Sequence, residues 1–284
     1  MPSARERGAT TRKAAPSKPP SGEKATARDL IAVDVGNSET VVGLFRGETL
    51  AAHWRLTSGR ATADEVSLTL DALLRNAGGD AAAPGFKPGA VLCSVAPSLT
   101  LAWAEALGRR AGAPPVEVSA ETAPDLPIRY HDKSSVGADR IANAIAVRAI
   151  YGTPAIVVDL GTATTFDCVS QDGAYLGGAI APGVMTSAEE LFRRAARLPR
   201  VELRRPERAL GRSTQESLQA GVVWGAAGQV DALVRRLALE MRGTPHVIAT
   251  GGLAPFIAPE CETINVVDAT LTLQGLRLIW ERAR

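Results

Sequence analysis

The chain has 284 residues, 45% apolar and 22% charged, with a net charge of +2, the proportions of a soluble globular protein long enough for two ordinary domains. No apolar run reaches the roughly 20 residues of a membrane-spanning helix, and none follows the first basic residues as a secretory signal would, so a cytoplasmic protein without membrane attachment is expected. Residues 1–28 carry a net +5 and the remaining 256 residues a net −3, which leaves the body no basic face for nucleic acid. That tail is rich in Ala, Pro, Ser and Thr, shows no apolar periodicity and is expected to be disordered. Cys93, Cys168 and Cys261 stand far apart, without the spacing of a zinc site or disulfide framework, and read as small core residues in a reducing compartment.

The ordered part opens at Leu30 with the strand LIAVDV, which ends in Asp34 and the turn residues Gly36, Asn37 and Ser38. Thr40 to Phe45 and Thr49 to Arg55 are two further strands, so the sheet begins antiparallel. Apolar residues at helical spacing predict a helix over 63–76. Ala90 to Ser94 is a buried strand, Ser98 is placed as the cap of a helix running to about Arg110, Val116 to Val118 is a short strand, and Ala138 to Tyr151 is an amphipathic helix. The pattern then restarts with AIVVDL ending at Asp159, Thr164 to Val169, and Tyr175 to Ile180. IAVDVGNSETVV (Ile31 to Val42) and IVVDLGTATTFD (Ile156 to Asp167) share the Asp, the Gly and a later Thr at a constant offset of 125, an internal repeat at domain scale. Helices follow from Gly183 to Ala196, from a capping box of Ser213 and Glu216 toward Arg242, and from Asp268 to the end, with the strand Val247 to Thr250 between. The segments correspond to a tail at 1–28 and two α/β domains, 29–152 and 153–284, sharing a cleft.

The paired elements DVGNSET and DLGTATT carry the chemistry. An aspartate at a strand end, followed by a glycine and small hydroxyl or amide residues, puts a carboxylate beside backbone N–H groups that can face a phosphate. One copy would be an ordinary hairpin turn; two matched copies point to phosphate binding, with Asp34 and Asp159 holding hydrated cations and Asn37, Ser38 and Thr162 offering donors. The chain has no GxxxxGK[ST] and no GxGxxG, which argues against P-loop and dinucleotide-binding readings. In SSVGADR, Asp139 sits in a first helical turn, either as a plain helix-start residue or as the carboxylate that orients an attacking hydroxyl. IATGGLA (Ile248 to Ala254) is a strand entering two glycines, suited to a flat adenine or to a bare turn. GGAIAPG (Gly177 to Gly183) is a cleft-lining loop or a connection. His53, His131 and His246 share no ligand spacing.

Taken in order, these motifs resemble the type III pantothenate kinases of the superfamily that holds acetate kinase, sugar kinases, Hsp70 and actin, over about residues 30–283. The resemblance implies an α/β fold of duplicated actin-like (ribonuclease H-like) domains, with mixed β-sheets and an ATP cleft between them. It implies transfer of the γ-phosphate of ATP to the 4′-hydroxyl of pantothenate, the first step of coenzyme A biosynthesis. Asp139 would then be the catalytic proton acceptor. Asp34, Val35, Gly36, Asn37, Ser38, Glu39, Thr40, Val41 and Thr162 would contact ATP. Tyr130, Gly137, Ala138, Asp139, Arg140 and Thr214 would line the pantothenate site. Asp159 would bind a monovalent cation, potassium or ammonium; magnesium would accompany the nucleotide, and a homodimer would complete the substrate site. Ser38 stands where the family usually has threonine, and the basic tail has no counterpart. Two rivals are a catalytically silent regulatory protein of the same fold, disfavoured because Asp34, Asp139 and Asp159 are all present, and a kinase of the superfamily with another acceptor.

Overall fold

The computed structural model of the chain describes residues 29–83 and 85–283. The basic tail, with the disorder expected of it, lies outside the described residues. Two five-stranded sheets repeat one topology. In the first, β1 (Leu30–Val35) pairs antiparallel with β2 (Glu39–Arg46), and β2 with β3 (Thr49–Thr57). On its other edge β1 pairs parallel with β4 (Gly89–Ser94), and β4 with the short β5 (Val116–Glu117), giving the order β3-β2-β1-β4-β5. The second sheet is built the same way: β6 (Ala155–Leu160), β7 (Ala163–Val169) and β8 (Tyr175–Pro182) are antiparallel, and β9 (His246–Thr250) and β10 (Val266–Val267) continue parallel on the far side of β6. The repeated motif thus opens a sheet topology that both halves share, although β9 and β10 follow β4 and β5 at offsets larger than that of the motif.

Both central strands are apolar except for the aspartate near the end of each, because both of their faces are covered. Ile31, Val33 and Val35 of β1 join a core with α1 (Ala63–Ala77) and α2 (Pro97–Ala111), whereas Leu30 and Ala32 face the other way. In β6, Ile156, Val158 and Leu160 join the core of α5 (Thr214–Glu240) and α6 (Ala254–Ile257), while Ala155 and Val157 turn to the same middle cluster as Leu30 and Ala32. That shared cluster is filled by α3 (Ala138–Ile150) and α7 (Leu271–Arg282). Here the amphipathic reading of the Ala138 helix gives way: Arg140 to Val147 are buried without a break, because α3 has β4, β6, β7 and α7 around it. The close fit of α7 on α3 is set by Gly275, where a Cβ would stand 2.1 Å from the Ala142 carbonyl oxygen. From there α7 reaches β1 and β4 of the first sheet.

Two helix starts differ from expectation, and a third agrees in its cap while its reciprocal bond shifts by one residue. Ser98 is not a cap: α2 opens one residue earlier at Pro97, whose ring presets the first helical φ, and Ala96 holds the cap position without a side-chain bond. Ser213 Oγ does accept the Glu216 N–H, but the Glu216 carboxylate accepts from the N–H of Arg212, so the box closes one residue upstream of the cap. Asp268 closes the turn before α7 by accepting from the Thr270 N–H and hydroxyl, and Thr270 occupies the cap position. Finally, GGAIAP lies within strand β8 instead of forming a loop, and α4 (Val184–Arg194) follows it at once.

Candidate active site

Asp34 lies near the carboxyl end of β1, paired with Val41 on one side and Cys93 on the other; Asp159 lies near the end of β6, between Thr165 and Thr250. Each strand then enters a tight turn. In the first, Gly36 N–H donates to Glu39 O at 2.9 Å, and Ser58 braces the turn from β3: its N–H donates to Ser38 O at 2.9 Å and its hydroxyl to Gly36 O at 2.7 Å. In the second, Gly161 N–H donates to Ala163 O at 3.1 Å. The two turns face each other. Thr162 Oγ1 lies 2.9 Å from Ser38 Oγ, and on the same side of the cleft Glu39 is ion-paired to Arg55 beside Gly252 of the opposite half.

The sequence-derived residues do not all stand alike. Asn37, Ser38, Glu39 and Thr162 are exposed at the turns, and Asp34, Asp159, Asp139, Gly36, Gly137 and Ala138 are half-buried. Val35 is a core residue, Val41 packs against the middle cluster, and Thr40 is buried with its hydroxyl 2.8 Å from Ser58 Oγ; these three can reach a nucleotide only through backbone atoms. Arg140 is buried, and Tyr130 is exposed with its ring over Gly177, where a Cβ would come within 2.9 Å of it. Thr214 is separate: it is exposed in the first turn of α5, and among the described residues no hydrogen bond links it to the others.

Asp139 stands in the first turn of α3, its Oδ1 accepting the Arg140 N–H at 2.8 Å, near enough for its charge to act on both Asp34 and Asp159. The three carboxylates sense one another. Burial, and next the charge of Asp139, push Asp34 up to about 7, against the opposing hydrogen bond from the Cys93 thiol. Burial, then the charges of Asp139 and Asp34, push Asp159 up to about 7, although Asn143 Nδ2 donates to its Oδ2 at 3.3 Å. Asp139 is itself raised, by burial, against the pull of the Arg140 N–H and guanidinium. Carboxylates that repel each other favour a cation between them. Among the described residues no three His, Cys, Asp or Glu gather as a metal cage; the oxygen donors of the aspartates are those that hard cations take.

Sequence reasoning missed Asp167, Tyr175 and Asn143. Asp167 stands in the middle of buried β7, ion-paired to Arg140, and Tyr175 donates to it. An aspartate inside an apolar strand was the available signal, because such a group needs a buried partner. The first glycine of IATGGLA has a local reason that involves no nucleotide: Gly251 has φ +91° and sits where a Cβ would be 2.4 Å from Asp159 Oδ1.

A family model described as type III pantothenate kinase matches residues 30–236. The type III pantothenate kinase of Moorella thermoacetica is 48% identical over 256 residues, 89% of this chain and 99% of that protein. The Thermobifida fusca protein of the same description is 46% identical over 258 residues, with the same shares covered. Among solved structures, the activator of the 2-hydroxyisocaproyl-CoA dehydratase from Clostridium difficile, with bound ADPNP, aligns at a TM-score of 0.56 and 14% identity over 90% of this chain and 95% of that one. The ethanolamine utilization protein EutJ from Carboxydothermus hydrogenoformans aligns at 0.50 and 15% over 88% and 89%. At these identities the two structures show the fold, a duplicated actin-like one.

Proposed function

The chain belongs to the type III pantothenate kinase family, and from that premise we propose how its own residues divide the work of phosphorylating pantothenate with ATP in coenzyme A biosynthesis. The observation that carries the assignment is the meeting of the two turns at Ser38 and Thr162, with Asp34, Asp159 and Asp139 close enough to shift one another's protonation. The exposed turn residues Asn37, Ser38 and Thr162 and the backbone from Asp34 to Val41 receive the phosphates of ATP. Asp34 and Asp159 supply negative charge for cations. Magnesium, held with the nucleotide near Asp34, would supply positive charge for the transfer. We assign the monovalent cation, potassium or ammonium, to Asp159, the carboxylate that both Asp139 and Asp34 repel.

Asp139 orients the 4′-hydroxyl of pantothenate for in-line attack and accepts its proton late in the transfer, a role that positions the reactants more than it demands a strong base. Tyr130, Gly137, Ala138 and Arg140 form the acceptor side. Thr214 serves the acceptor site of a second copy in a homodimer. An exposed apolar groove of about 490 Å³ between α4 and α5, lined by residues including Val184, Leu191, Leu218 and Val222, supports this, as do Gly221, Gly225 and Gly228 of α5, which face open space. No described helix is long and apolar enough to cross a membrane, and the cysteines are free, in keeping with a cytoplasmic site of action.

The direct test is to incubate the purified protein with ATP, magnesium, potassium and a panel of hydroxyl acceptors and to analyse the products. Phosphorylated pantothenate is the expected product. Phosphate transfer to a different acceptor, or none to any, would overturn the assignment.

A further inference from the structure

Arg140 is the cation of the acceptor side, and it has two carboxylates to choose between. Asp139 is its chain neighbour. Asp167 lies across on β7, wholly buried. The guanidinium is committed to Asp167: Nε donates to Asp167 Oδ1 at 2.6 Å and Nη2 to the Phe166 carbonyl at 3.4 Å. The Tyr175 hydroxyl donates to the same Oδ1 at 3.0 Å, and Thr165 Oγ1 donates to Oδ2 at 3.4 Å. The Tyr175 ring lies 5.8 Å from the Arg140 guanidinium carbon and 6.3 Å from the ring of Tyr130, tilted by 54°. One carboxylate thus stands behind both acceptor-side residues, directly for Arg140 and through Tyr175 for Tyr130.

We infer that Asp167 is a positioning residue of the transfer reaction, holding the Arg140 guanidinium away from Asp139 and backing Tyr130 through Tyr175. The inference rests on the acceptor-side roles proposed above for Asp139, Arg140 and Tyr130. Its physical basis is twofold. A buried ion pair is a poor stabiliser compared with apolar side chains of the same volume, so its presence between α3 and β7 is better explained by the geometry it enforces. And Asp139 can take a proton from the acceptor only if its second oxygen is open; an Arg140 side chain folded back onto it would occupy that oxygen. The charge on Asp167 keeps Arg140 elsewhere.

The test uses the full chain and steady-state kinetics varied separately in each substrate. For Asp167→Asn, kcat should fall and the KM for pantothenate should rise about tenfold or more, while the KM for ATP stays within about twofold. In an Arg140→Met background, adding Asp167→Asn should cost clearly less in kcat/KM than it costs in the wild type, because the direct link to Arg140 is already gone and only the link through Tyr175 remains. Equal disturbance of both KM values, or losses that multiply in the double variant, would overturn the inference and leave Asp167 a structural tie. Should Asp167→Asn fail to fold, Tyr175→Phe keeps the ion pair and tests the second link: a severalfold rise in the pantothenate KM with ATP unaffected is expected, and an unchanged pantothenate KM overturns it. If the wild type phosphorylates a different acceptor, the reaction assignment falls, and the same comparisons, run with that acceptor, still decide the role of Asp167.

Discussion

The hydroxyls of Ser38 and Thr162 meet at 2.9 Å although 124 residues separate them in the chain. Both side chains are exposed, so the contact adds little to stability and marks instead where the two turns converge, those to which phosphate binding is assigned above. Thr162→Val keeps the shape and removes the hydroxyl. The expected result is a KM for ATP raised about three- to tenfold, the worth of a hydrogen bond of roughly 1 kcal/mol, with the pantothenate KM and melting temperature nearly unchanged. Steady-state kinetics and a thermal melt check it.

Asp139→Asn preserves the side-chain volume and removes the proton acceptor. Turnover should drop by about 10²- to 10⁴-fold, the range for loss of a general base, while ATP binding followed by calorimetry stays within a fewfold of wild type. Near-normal turnover would take Asp139 out of the mechanism.

The paired strand-end aspartates make stability depend on pH in a direction opposite to most carboxylates. Asp34 and Asp159 are held up at about 7 in the fold, from 3.8 in the free residue. The folded state therefore binds more protons than the unfolded chain between these values. The stabilising contribution is fully present below the lower value and is lost as pH rises through about 7. In metal-free buffer, the melting temperature of wild type relative to Asp159→Asn should fall between pH 5.5 and 8, and magnesium with ATP should shrink that fall. A wild-type-to-variant difference that stays level with pH would contradict it.

Removing potassium and ammonium from the assay should lower turnover about tenfold or more, in line with the loss of fixed positive charge at a transferring phosphoryl group. Restoring either ion should restore activity in wild type and do little in Asp159→Asn. A wild type indifferent to both ions removes the monovalent cation from Asp159.

Gly225 lies on the open side of α5, where an added side chain meets nothing in the single chain. Gly225→Arg should leave the fold intact and yield a monomer in analytical ultracentrifugation, with the pantothenate KM raised at least about tenfold if Thr214 of one copy serves the other. A dimeric Gly225→Arg with unchanged kinetics would move the interface off this helix.

What could be read in advance follows from how local each feature is. The strands ending in Asp34 and Asp159 were legible because an apolar run, a carboxylate and a glycine turn are contiguous, and because the pattern recurs. The helix start at Ser213 was legible, whereas Ser98 and Asp268 are not the cap residues expected, since a cap depends on which backbone N–H a side chain reaches and neighbouring positions offer nearly equal choices. The amphipathic reading of α3 missed that two sheets and α7 enclose it; a helix sequence records which faces are apolar and carries no count of the neighbours that will cover them.

By itself, then, the order of residues determined the repeated strand-turn units, the placing of an aspartate at the end of each and the family to which they point, because each rests on atoms a few bonds apart. Folding alone decided that Ser38 meets Thr162, that the charge of Asp139 reaches both Asp34 and Asp159, and that Asp167 draws Arg140 to itself. Those are distances between segments remote in the chain. They arise only when burial of β1 and β6 against one shared layer brings the two halves face to face.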